Sequence, residues 1–350
     1  MVVFPAPESP VSQITLLDTY CPPRDTGVAR LVPYFTPTGA RISYIVASRA
    51  VAVSLMPASA PKVGAFLLGA PKSGTTWLAS ALEQHPEICV SEPKEPNEIA
   101  THKGTFGRDD SPPDWERYSS CFDEGGLCID CSVHALACPI APSRVAEYWP
   151  ESRFLVCLRE PVSRTVSHWG MVLDTEEDKQ NGADWSDFAV AWADSRLHMD
   201  TLYGASMARW LEYFGRGSFL FIEAKRMRGE PERVLSEVVE HLGLASHEFD
   251  LAAVHNANIA EDRRPLTLFG RVFKFTASLI PNFIKRPVVS TLEGRGVNVY
   301  KMPVLSRARS IRRRAGAEHY AMLGEEVRND LESLEDLTGF STAHWRESLQ

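Results

Sequence analysis

The chain has 350 residues, 44% of them hydrophobic and 23% charged, which suits two domains or one large α/β domain. A net charge of −8 argues against nucleic acid as a partner, because gripping a phosphate backbone asks for basic surface. No run of about 18 uncharged apolar residues occurs; the nearest approach, ISYIVASRAVAVSLMPASA (42–60), is broken by Arg49 and lies too far in for a signal peptide.

Residues 1–61 are rich in proline and serine and lack periodicity, so they are expected to form a poorly ordered N-terminal extension ahead of a domain spanning 62–350. Met56 opens MPASAPKVGAFLLGAPKSG, a natural start for that domain, which makes the first 55 residues a candidate dispensable tail.

From Val63 the elements become regular. VGAFLLGA reads as a buried parallel strand, and after the loop PKSGTT, WLASALEQH reads as a helix with Trp77, Leu78, Ala81 and Leu82 on one face. Four cysteines then crowd together at 121, 128, 131 and 138. Cys128-x-x-Cys131 has the spacing of a zinc half-site, but LCIDCSV alternates like a strand, where residues three apart face opposite ways, and no second such pair follows. No metal is therefore expected, and the seven cysteines read as reduced thiols of a cytoplasmic protein.

Further on, 144–149 looks helical, SRFLVCLR (152–159) is a strand, and Pro161 opens the next helix. MARWLEYFG is an amphipathic helix, FLFIEAK a strand, and PERVLSEVVEHLGL a helix. Such alternation predicts a three-layer α/β sandwich, with a mostly parallel sheet of four or five strands flanked by helices. Residues 265–286 carry apolar side chains near helical spacing flanked by Arg271, Lys274, Lys285 and Arg286; they read as a helix packed on the core or as a peripheral membrane or lipid contact. Residues 306–339 read as a helix with Tyr320, Leu323, Val327, Leu331 and Leu334 inward.

Two segments carry chemistry. GAPKSGTTW (69–77) sits between a strand and a helix, where backbone N–H groups and a helix N-terminus converge on an anion. Gly69 and Gly74 have the separation of a Walker A loop, but Thr75 stands where its lysine belongs. A magnesium-dependent kinase is thereby disfavoured, although Lys72 can still reach a phosphate as a point charge. In FLVCLREPVSRTVSHW (154–169), Arg159 leaves the C-terminal end of a strand and Ser167 follows two turns into the next helix. Ligands of doubly wound sheets bind at that edge, and arginine suits a terminal phosphate.

PKSGTTW followed by LRxPxxRxxSH resembles the sulfotransferases that use 3′-phosphoadenosine-5′-phosphosulfate (PAPS). The likeness runs from about Gly64 to Trp345 and is greatest to the branch holding heparan-type and many bacterial sulfotransferases. It implies a P-loop-like fold and sulfuryl transfer from PAPS to a hydroxyl, less readily an amine, on a carbohydrate, lipid-linked sugar or small metabolite, leaving PAP and needing no metal. It implies that Lys72 stabilises the leaving phosphate, that Ser73, Gly74, Thr75 and Thr76 hold the 5′-phosphate, that Trp77 stacks on adenine or simply packs in its helix, and that Arg159 and Ser167 hold the 3′-phosphate.

The acceptor hydroxyl must lose a proton, so a base should lie in reach. SEPKEPNEIATH resembles the segment that bears the relatives' glutamate, which maps to Glu95, with Glu92 and Glu98 as substitutes. Asn97 replaces a common histidine, and Glu98-Ile99 replaces two aromatics that line the acceptor cleft. In IDCSVHAL (129–136), Cys131 stands where relatives often carry a lysine, and His134 is a rival base or a packed histidine. Two readings of other classes stay open: a P-loop kinase drifted from Walker A, and a catalytically silent nucleotide-binding protein.

Overall fold

The computed structural model describes residues 60–123, 125–254 and 313–349, together with two strands further upstream. Segment 265–286, residues 306–312 and most of 1–61 lie outside the described residues. Within residues 1–55, β1 (Leu31–Phe35) and β2 (Arg41–Ile45) pair antiparallel, with Leu31 opposite Ile45.

In the larger unit, β3 (Val63–Gly69) leads into α1 (Thr75–Leu82). Then come β4 (Ile88–Val90), the two-residue strands β5 (His102–Lys103) and β6 (Gly107–Arg108), α2 (Trp115–Ser119) and β7 (Leu127–Asp130). Next are α3 (Ala141–Tyr148), β8 (Arg153–Leu158), α4 (Pro161–Thr175) and the short helices α5 (Glu177–Gln180), α6 (Phe188–Ala193) and α7 (Ser195–His198). α8 (Tyr203–Leu211), β9 (Phe219–Glu223), α9 (Arg226–Gly229), α10 (Pro231–Leu242), α11 (Ala317–Thr338) and α12 (Ala343–Arg346) complete the described elements.

Five strands form one sheet in the order β4-β7-β3-β8-β9, every pairing parallel. This is the three-layer sandwich expected from the alternation of elements. The chain leaves β3 for the edge at β4, fills the gap with β7, then crosses to β8 and β9. β3 is therefore the switch point, where the crossovers diverge and leave a crevice at the carboxyl ends.

Both sheet faces are buried, which is why β3 and β8 read as continuous apolar runs rather than alternating ones. Ala65, Leu67, Leu155 and Cys157 point to a core shared with α1 and α10; Phe66, Leu68, Phe154 and Val156 point to one shared with α4, α8 and α11.

Helix boundaries move for local reasons. α1 stops at Leu82, short of the expected His85, because Pro86 disfavours helix in the residue before it. α10 and α11 end on Gly243 and Gly339, both left-handed. Of the inward positions expected on α11, Leu323, Val327, Leu331 and Leu334 are fully buried and Tyr320 is half-buried. Among the described residues no helix is long and apolar enough to cross a membrane.

Candidate active site

The loop after β3 turns sharply. Gly69, Lys72 and Gly74 have φ of 127°, 68° and 89°, a region that costs little for glycine and more for lysine. A Cβ at Gly69 would stand 2.4 Å from the carbonyl oxygen of Val133, and Leu136 N–H donates to the Leu68 carbonyl at 3.1 Å. The short 3-10 turn Val133–Ala135 is thus seated directly on the start of the loop.

α1 begins on Gly74, with no side-chain cap and no acidic residue in its first turn. Its leading N–H groups and the positive end of its dipole remain available to an anion. Ser73 is fully buried, and its Oγ has no hydrogen-bond partner among the described residues. Thr75 is buried, Thr76 half-buried, and Trp77 half-buried against the α1-side core.

The sheet brings Arg159 to this loop. Its Nη1 donates to the Lys72 carbonyl at 3.4 Å, and Tyr203 Oη donates to the Arg159 carbonyl at 3.0 Å. Burial, followed by the nearby Arg228, pushes the Arg159 guanidinium below its ordinary value. Even so, guanidinium stays charged in proteins, so Arg159 and Arg228 make this corner positive. The Glu160 carboxylate accepts from Val162 and Ser163 N–H at 2.9 and 2.8 Å, capping α4. Lys72 Nζ lies 3.6 Å from Met171 Sδ, one turn beyond the half-buried Ser167 on α4.

On the other side of β3, the segment 91–98 is stitched to the end of β7. Lys94 Nζ donates to Glu95 Oε1 at 2.9 Å and to the Cys131 carbonyl at 3.4 Å. Asn97, at φ 55°, donates its N–H to Ser132 Oγ at 2.9 Å. Glu95 remains partly open, whereas Glu98 is buried and engaged by Arg117 at 3.3 Å and by the Asp114 N–H at 3.4 Å. Glu98 therefore anchors α2, and Ile99 beside it joins the core.

His134 belongs to a buried cluster. Its Nδ1 is 3.2 Å from Asp200 Oδ2. His168 accepts at Nδ1 from Arg164 Nη1 at 3.2 Å, so its Nε2 donates to Thr105 Oγ1 at 2.9 Å. Burial and then Arg164 hold His168 well below its ordinary value. Burial also works against a charged His134, but the Asp200 carboxylate outweighs it and raises the value. Burial would raise Asp200, yet His134, His168 and Arg164 together bring it well down. His102, buried nearby, is lowered to about 4 by burial and then by Arg108.

β7 ends at Asp130, whose Oδ1 accepts the Ser132 N–H at 2.8 Å and breaks the expected strand before Val133. Cys128 pairs in register with Cys89 of β4, and Cys131 packs into the α1-side core. Among the described residues no group of three or more His, Cys, Asp or Glu is placed to hold a metal.

Sequence reasoning singled out Lys72, Arg159, Glu95 and His134. It did not single out Lys94, Asp200, His168 or Arg228, whose positions depend on elements distant in sequence.

Residues 143–263 match the family described as the sulfotransferase domain. Heparan sulfate glucosamine 3-O-sulfotransferase 3A1 of Mus musculus is 25% identical over 191 residues, covering 51% of this chain and 45% of that protein. Bifunctional heparan sulfate N-deacetylase/N-sulfotransferase 4 of Mus musculus is 26% identical over 200 residues, covering 52% of this chain and 22% of that protein. The chain thus matches less than half the length of these curated relatives. The crystal structure of a sulfotransferase from Alicyclobacillus acidocaldarius aligns with a TM-score of 0.53 at 17% identity, covering 81% of this chain and 99% of that one, and shares the fold. By its matched domain and its relatives, the chain is similar to the sulfotransferases.

Proposed function

We propose that the protein transfers a sulfuryl group from PAPS to a hydroxyl acceptor, releasing PAP. The observation that carries this reading is the contact of Arg159 with the Lys72 carbonyl, which unites the loop and the β8–α4 segment at one edge of the sheet. The residues present fit the donor. The buried, unpartnered Ser73 Oγ and the uncapped start of α1 suit a 5′-phosphosulfate, and Arg159 with Arg228 supplies positive charge for a second phosphate.

PAPS, when bound, supplies an electrophilic sulfur and a phosphate leaving group. Lys72 neutralises the charge that grows as the S–O bond to that phosphate breaks. Glu95, oriented by Lys94, takes the proton of the acceptor hydroxyl as its oxygen bonds to sulfur. The mouse relatives named for heparan sulfate support a carbohydrate acceptor. The free cysteines among the described residues support work in a reducing, cytoplasmic setting.

The test is twofold. Equilibrium titration should show PAP bound much more tightly than ATP, without magnesium. Radiolabelled PAPS, screened against carbohydrate and small hydroxylated acceptors, should label at least one of them. Tighter binding of ATP with magnesium would overturn the reading in favour of a kinase. PAP binding without transfer to any acceptor would mark a silent nucleotide-binding protein.

A further inference from the structure

We propose that His134, held as an imidazolium by Asp200, is the cation that faces the transferring sulfuryl group from the acceptor side, with Asp200 as its positioning residue. The inference rests on the reading of the protein as a PAPS-dependent sulfotransferase and adds two roles to it.

Four observations lead there. First, the 133–135 turn is seated on the phosphate loop: the Val133 carbonyl occupies the space where a Gly69 Cβ would be. His134 is therefore fixed to the floor of the loop rather than carried on a separate flap. Second, the Asp200 carboxylate is almost wholly buried at 3.2 Å from His134 Nδ1. A buried carboxylate is tolerated when a cation faces it.

Third, Arg164 also bears on Asp200 but gives its hydrogen bonds to His168, Thr165 and Thr201, and His168 cannot be the facing cation. Its Nδ1 accepts from Arg164, which leaves it neutral with its proton on Nε2 toward Thr105. Fourth, exposure separates the members: the His134 side chain retains 9% of its surface, against 3% for Asp200 and 0% for His168. His134 is thus the least covered of the three.

With Nδ1 facing Asp200 at 3.2 Å, the imidazolium has Nε2–H left as a charged donor. Such a donor stabilises negative charge on sulfuryl oxygens without breaking a bond itself, while the acceptor's proton still leaves through Glu95. The charged and titratable groups around the ring are Asp200 beyond α7, His168 and Arg164 on α4, and Glu95, His102 and Arg108 in the segment opposite. Lys72 acts on His168 from the loop.

The experiment compares wild type, Asp200→Asn and His134→Gln across pH 5.5 to 9. It uses PAP titration, NMR of the histidine rings, and release of sulfate from radiolabelled PAPS with water as acceptor. In the wild type, His134 should titrate above the ordinary histidine value of 6.5, and sulfate release should fall as pH rises through that titration. Asp200→Asn should move both the titration and the fall to lower pH, cutting release at pH 7.5 at least about tenfold with PAP affinity unchanged. His134→Gln should abolish the fall altogether.

Release that increases with pH through the His134 titration would overturn the proposal and make His134 a base. An unshifted profile in Asp200→Asn, with PAP bound normally, would overturn it while leaving the sulfotransferase reading intact. Absence of PAP binding by the wild type would overturn both. Should Asp200→Asn fail to fold, the wild-type titration and its match to the activity profile decide the matter alone.

Discussion

Arg159 donates a hydrogen bond to the backbone carbonyl of Lys72 at 3.4 Å, so the arginine leaving β8 and the lysine in the loop after β3 are held against one another before any ligand arrives. The two have different tasks on the proposed reading, and mutation should separate them. Lys72→Ala should lower turnover about 10²-fold with PAP affinity little changed, because its charge acts as the S–O bond breaks. Arg159→Ala should mainly weaken binding of PAPS and PAP, read as a raised KM at nearly preserved kcat. Equal losses of kcat in both variants would contradict the division.

Glu95 is partly open and tied to Lys94 at 2.9 Å. Glu95→Gln keeps the shape and removes the basic oxygen. Turnover should fall at least about 10²-fold, as for loss of a general base. Near-normal turnover would exclude Glu95 from that role.

Gly69 has φ 127°, and a Cβ there would meet the Val133 carbonyl at 2.4 Å. Gly69→Ala must strain the loop or lift the 133–135 turn, at a cost of about 1–3 kcal/mol from backbone strain alone. Thermal unfolding should show the loss, and PAP affinity should fall with it because the loop itself is displaced.

Tyr118 Oη donates to Asp130 Oδ2 at 2.6 Å, and both side chains are buried. Tyr118→Phe leaves that oxygen short of a partner and should cost about 1–3 kcal/mol in a urea titration. Burial raises the folded value of Asp130. Its contribution is therefore full at low pH and lost as pH rises through the folded value.

Acid should act on the histidine cluster with the opposite sign. His102 is held at about 4 and His168 well below 6.5 when folded. Both favour the neutral form, so their contributions are present above 6.5 and are lost as pH falls toward the folded values. His134 runs the other way: raised by Asp200, its share is full below 6.5 and lost above it. Stability should therefore decline from pH 6.5 towards 4, and His102→Gln should make that decline shallower. An unchanged slope in the variant would contradict this account.

The sheet was legible because burial on both faces writes continuous apolar runs into β3 and β8, and because Pro161 and Pro231 mark helix starts. The loop was legible because its glycines, hydroxyls and lysine are adjacent in sequence. Asp200 was not: it joins His134 across 65 intervening positions, and nothing beside it signals a partner. The end of β7 was missed for a different reason. Asp130 looks like another strand residue until its side chain bonds the Ser132 N–H and turns the chain. At Glu98, which stands where the resemblance implies a cleft aromatic and a substitute base, nothing adjacent in sequence announces its burial by ties to Arg117 and Asp114.

The strand order has a consequence for how such a protein can change over generations. β3 stands between β7 on one side and β8 on the other. Arg159 approaches the loop from the β8 side, while Glu95, Lys94 and His134 approach from the β7 side. On the proposed reading, substitutions that reshape the acceptor wall therefore fall mainly on the β7 half of the sheet, and those that weaken the hold on the second phosphate fall on the β8 half. A lineage can exchange what it modifies while its grip on the donor stays under separate selection.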